Sequence, residues 1–112
     1  MSTQKSQPPL TLTTRQKQFL KGLAHPLTPV VQIGKEALSP GLFETIKTEL
    51  LRHELIKVKI GSNCALDKHS TATTIAELTA SSLVQLIGKT IVLYKPNPKR
   101  TKEKRILLPK AG

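Results

Sequence analysis

The chain has 112 residues, of which 18 are Lys or Arg and 7 are Asp or Glu, for a formal net charge of +11. That length suits one domain with a modest core; no apolar run approaches the ~20 residues that cross a bilayer, and the polar start MSTQKSQPPL lacks a secretory h-region. A single cysteine, Cys64, excludes an internal disulfide and fits a cytoplasmic protein.

In chain order, residues 1–11 are polar, carry a Pro pair and read as a disordered lead-in. A helix then starts at Thr13 or Thr14, with Thr13-x-x-Gln16 as a capping box, and stops before Pro26. Phe19, Leu20 and Leu23 form its apolar stripe, and Lys17 and Lys21 lie one turn apart on another face. Residues 30–33 read as a short strand. Ser39 caps a second helix with Pro40 at its first position, and Leu42, Ile46 and Leu50 recur every fourth residue as it runs to about His53. LIKVKI, residues 55–60, alternates: Ile56, Val58 and Ile60 face a core, Lys57 and Lys59 the other side. After a loop at 61–67, a third helix is expected at about 68–82. Two strands follow, at 83–87 and 90–95. They are joined by Gly88-Lys89, a two-residue loop whose leading glycine suits a type II′ hairpin. Beyond Pro96 comes a basic tail, NPKRTKEKR, and an apolar run at 106–108 that suits an added edge strand.

The order α-β-α-β-α-β-β implies an α/β fold. It is read as a two-layer domain, a four-stranded mixed sheet with three helices on one face and the other face partly open. The domain is expected over residues 12–96, with 97–112 as a basic tail.

The charge is unevenly spread. Residues 1–35 carry five basic residues and no acid, residues 36–77 a net of −1, and residues 78–112 a net of +7. A near-neutral middle between two basic ends suggests surfaces built for a polyanion. Enzymatic motifs are missing by contrast. The acids are scattered, His53-Glu54 meets Lys57 where HExxH needs its second histidine, and His25, His53 and His69 lack metal-ligand spacing. His25 reads as a helix-end hydrogen-bonder and His53 as a last-turn residue favoured by the helix dipole. Gly34-Lys35 is not a P-loop, because Pro29 and Glu36 stand where a glycine and a Ser or Thr are required. No catalysis, cofactor or metal is expected.

Gly34-Lys35 has a different use. Backbone N–H groups at 34–38 precede the positive end of the Ser39-capped helix, a natural phosphate site, and Lys35 adds a mobile cation. With no Trp, two Phe and one Tyr, the chain has few stacking platforms, so recognition by backbone contact and shape points to structured RNA. No helix-turn-helix or zinc signature argues for reading a DNA groove.

The blocks RQKQFLKGLAHPLTPVVQIGK, HELIKVKI and VQLIGKTIVLYKP, in that order, resemble the CRM domain (chloroplast RNA splicing and ribosome maturation) in its stand-alone bacterial, YhbY-type form. The resemblance spans about residues 12–96. It implies a fold close to the C-terminal domain of translation initiation factor three and association with precursors of the large ribosomal subunit. It also implies a KH-like GxxG contact loop, which here reads Gly34-Lys35-Glu36-Ala37: the first glycine matches and alanine replaces the last. The candidate RNA-binding residues are Lys17, Lys21, Gly34, Lys35, Glu36, Ala37, Lys57, Lys59, Lys89, Lys95, Lys99 and Arg100. The leading expectation is a monomeric, non-catalytic assembly factor on rRNA. An Alba-like nucleic-acid coat protein and an accessory subunit of an RNA-modifying enzyme are the alternatives.

Overall fold

The computed structural model describes residues 12–34, 39–61, 67–101 and 103–109. Helix α1 (Thr14–Ala24) begins with the capping box: the Thr13 hydroxyl accepts from the Gln16 N–H at 3.1 Å, and the Gln16 side chain accepts from the Thr13 N–H at 3.0 Å. Pro26 stops it one residue beyond the His25 cap. Strand β1 (Val31–Ile33) is followed by α2 (Pro40–His53), where the Ser39 hydroxyl accepts from the Leu42 N–H at 3.2 Å and proline fills the first turn. Then come β2 (Leu55–Ile60), α3 (Lys68–Leu78), β3 (Ser82–Ile87) and β4 (Thr90–Tyr94). In the β3–β4 hairpin Ile87 pairs with Thr90, and positive φ falls on Gly88 (+56°) but not on Lys89. A positive φ at the first loop position alone is what a type II′ turn needs.

The sheet order is β1-β2-β4-β3, with β1 and β2 parallel and the other pairs antiparallel. The class is thus the expected one: α/β, three helices and a four-stranded mixed sheet.

The layering differs. α2 and α3 cover one face, where Ile46, Leu50, Ala72 and Ile75 meet Ile33, Ile56, Val58, Ile91 and Leu93. α1 crosses to the other face and sets Leu20 and Ala24 against Leu55, Val84, Val92 and Tyr94. The two-layer reading is corrected to three layers over part of the sheet. The cause lies in β4, TIVLY, of whose five residues four are buried: a strand apolar on both sides must be covered on both. Because α1 rests on Leu20 and Ala24, Phe19 and Leu23 turn outward, 38% and 40% exposed, rather than filling the core.

The chain after β4 returns over this α1 face. Ile106 and Leu108 pack against the same cluster, and Gln16 Nε2 donates to the Pro109 carbonyl at 2.9 Å. Residues 106–108 add no strand to the sheet; they dock through side chains instead.

Candidate nucleic-acid interface

Several candidate residues converge where β1 and β2 end. Ile33 O accepts from the Gly61 N–H at 2.8 Å, and the Ile60 N–H donates to Lys89 O at 2.7 Å. These two bonds hold Gly34 and the hairpin lysine at the same end of the sheet. The pairings Gln32↔Lys59 and Lys59↔Thr90 place the Lys59 position between β1 and β4. Val58 and Ile60 take the α2–α3 side, so alternation puts Lys57 and Lys59 on the α1 side. There α1 covers the half of the sheet near Leu55 and Tyr94 and, among the described residues, leaves the Lys59 end bare. Lys21 joins this end from α1, lining a recess with Lys57, Gln85, Ile87 and Thr90, and Lys17 lies one turn before it.

Gly34 has no positive φ, and a Cβ built on it meets nothing within 4 Å. Neither backbone strain nor a neighbour among the described residues requires a glycine there. What a bare position does permit is close approach of a ligand to the backbone. Lys35, Glu36 and Ala37 lie outside the described residues.

Lys57 is partly committed. Its Nζ donates to the carbonyls of His25 at 3.2 Å and Leu27 at 2.9 Å, so the cation closes the negative end of α1. Lys95 does the same for α3, donating from Nζ to Thr79 O at 3.2 Å. Lys17, Lys21, Lys59 and Lys89 make no side-chain hydrogen bond or ion pair among the described residues.

The remaining candidates sit elsewhere. Leu55 pairs with Tyr94 at the opposite end of the sheet, about 17 Å along β2 from Ile60 at ~3.3 Å per residue. Lys95, Lys99 and Arg100 follow directly, so the structure separates them from Gly34, Lys59 and Lys89. This end is organised by Glu54, to which sequence reasoning assigns no role. It is fully buried with φ +65°. Its Oε2 accepts from the Asn97 N–H at 2.7 Å, and its Oε1 accepts from the Ile106 N–H at 2.7 Å and Arg100 Nη1 at 3.4 Å. Its carbonyl takes the Lys95 N–H at 2.8 Å. Asn97 Nδ2 adds a bond to Leu51 O at 2.9 Å. Arg100 is thereby tied to a buried carboxylate, while Lys99 remains exposed. Burial, reinforced by the Glu54 charge and opposed by Arg105, pushes the Tyr94 hydroxyl above its ordinary pKa. The sequence signal for Glu54 is slight: an acid directly after a helix end and before an apolar strand.

Among the described residues, no three His, Cys, Asp or Glu side chains gather as metal ligands, and no helix is long and apolar enough to cross a membrane. What the bare end can do is present cations and open backbone to an anion.

Comparison with known proteins bears on the chain as a whole. A Haemophilus influenzae protein named RNA-binding protein is 44% identical over 100 residues, covering 89% of this chain and 97% of its own length. The Bacillus subtilis protein named Probable RNA-binding protein YqeI is 43% identical over 98 residues, covering 88% of this chain and 99% of its own. The solution structure of the hypothetical protein SAV1595 from Staphylococcus aureus superposes with a TM-score of 0.72 at 42% identity, over 88% of this chain and 100% of that one. The profile of the CRS1 / YhbY (CRM) domain matches residues 12–95. With three described helices, the four-stranded mixed sheet and a match over most of its length, the chain belongs to the CRS1/YhbY (CRM) domain family.

Proposed function

We propose that this chain is a non-catalytic RNA-binding protein of the cytoplasm. In this reading it works as a monomer, without a cofactor, on rRNA in precursors of the large ribosomal subunit. The observation that carries it is the bare sheet end. Lys17, Lys21, Lys59 and Lys89 there have no partner among the described residues, beside a Gly34 with open space before it. Such an arrangement offers cations and backbone N–H groups to phosphates at low desolvation cost, and binding built this way follows shape and charge. The names of the relatives and the ordered sequence blocks support RNA as the polyanion.

Sedimentation of the tagged protein from cells through a sucrose gradient tests the reading. Co-migration with free large subunits or their precursors is expected, and ribonuclease treatment should shift the protein to the top of the gradient. Equal affinity of the purified protein for duplex DNA and rRNA would turn the reading toward a general nucleic-acid coat. A nuclease-resistant complex with another protein would turn it toward an accessory subunit.

A further inference from the structure

We propose that the recess between α1 and the bare half of the sheet is a subsite for one unpaired RNA base. The inference rests on the RNA-binding reading above and adds to it a direct contact with a base. The recess has a volume of about 180 Å³, below the ~300–1,000 Å³ of pockets that take drug-sized ligands and on the scale of a single heterocycle. Ala24 and Val92, 2% and 1% exposed, are the buried apolar residues that line it. Gln85 and Thr90 bring to it an amide and a hydroxyl that make no side-chain hydrogen bond among the described residues. Lys21, Lys57, His25 and the exposed Ile87 complete the lining.

Each feature suits an extruded base. The exposed Ile87 side chain offers the ring an apolar surface above the buried floor of Ala24 and Val92, and the Gln85 amide offers a donor and an acceptor side by side, the pairing that a base edge presents. Histidine is among the side chains on which unstacked bases rest. Lys21, with Lys17 one turn away, is placed to meet the flanking phosphates. A β-bulge between Leu83 and Gln85 creates the position: Val84 joins the buried α1-side cluster, and Gln85, the next residue, lines the recess on that same side. Bulges re-aim side chains in this way.

The test uses the full chain, one fully paired RNA hairpin and four hairpins that differ from it only by one bulged nucleotide, one for each base. The expected result is tighter binding of at least one bulged hairpin than of the fully paired one, by about tenfold, the scale of a well-placed bidentate contact. Gln85→Leu and the near-isosteric Thr90→Val should each bring that ratio toward one, with thermal melting run beside them to show that both variants fold. If the parent binds paired and bulged hairpins equally, with the salt dependence of phosphate contacts, the subsite is wrong and the RNA-binding reading stands. The subsite is equally wrong if the preference survives both substitutions. If the parent binds neither hairpin nor rRNA, both readings fall.

Discussion

Where β2 begins, at Leu55, positive charge is tied down: Lys95 closes the C-terminus of α3, and Arg100 is held by the buried Glu54 carboxylate. Where β2 finishes, at Ile60, Lys59 and Lys89 stand without partners among the described residues. The two ends are similar in sequence, short runs of Lys or Arg beside apolar strands, and opposite in use. A cation that satisfies helix carbonyls or a buried carboxylate has already traded its hydration for protein contacts. Only the other kind is free to exchange water and counterions for phosphate. Net charge therefore overstates the surface available to RNA, and position along β2 corrects it.

The contrast breaks most forcibly at Glu54. Replacing it by Ala leaves the N–H groups of Asn97 and Ile106 and the Arg100 guanidinium without their acceptor, and should cost about 3 kcal/mol. Urea denaturation measures this, and a loss under about 1 kcal/mol would mean that the latched end is held by apolar packing alone. Charge reversal separates the ends next. Lys59→Glu with Lys89→Glu should weaken binding to a large-subunit rRNA fragment about tenfold and lower the log–log salt slope by roughly 0.7–0.9 for each phosphate that the variant no longer neutralises. Lys99→Glu should change both less. Equal effects at the two ends would remove the difference between them.

Gly34→Ala sharpens the same contrast. With no positive φ and no neighbour to strike among the described residues, alanine should leave stability equal or raise it by up to about 1 kcal/mol, while RNA affinity falls a few-fold. A stable variant with parental affinity would make Gly34 a plain turn. The latched end also answers to pH. The folded Tyr94 pKa lies above the ordinary tyrosine value of 10.0, so the neutral phenol is favoured in the fold. Stability on this account is fully present below the unfolded pKa and is lost as pH rises through the folded one. Tyr94 is the one tyrosine of the chain, so its ultraviolet titration can be followed directly, and Tyr94→Phe should flatten the alkaline decline. The smallest effect belongs to Ala80. It ends α3 at φ +54°, with the Ser81 N–H bonded to Ala76 O at 2.9 Å, where glycine is the usual residue. Ala80→Gly should stabilise the domain by about 0.5 kcal/mol, read as a small rise in melting temperature.

Local chemistry is legible in the sequence wherever a single residue decides a geometry. Thr13, Ser39, Pro40 and Gly88 mark their caps and turn, and the alternation of LIKVKI marks a strand. What cannot be read is which face an element will meet. The pattern of α1 permits Phe19, Leu20 and Leu23 as core positions, and only docking against Leu55, Val84 and Tyr94 keeps Leu20, adds Ala24 and leaves the other two outside. The same gap explains the interface. Lys57 and Lys95 look like any other lysines in sequence, and their use at helix ends depends on partners 30 and 16 positions away. Glu54 gives no stronger sign of its role because its donors lie 43 to 52 positions further on.

The Gln16–Pro109 bond joins residues 93 positions apart, and it bears on how the chain is made. On a ribosome, α1 emerges early, and of the strand residues that Leu20 and Ala24 rest on only Leu55 precedes β3 and β4. Its last partners, Ile106 and Leu108, come later still. Both faces need β4, which gives Ile91 and Leu93 to one and Val92 and Tyr94 to the other, and the α1 side then waits for residues 106 and 108 as well. Vectorial synthesis thus completes the α1 side last, and that side is the one that a nascent chain must keep from premature association.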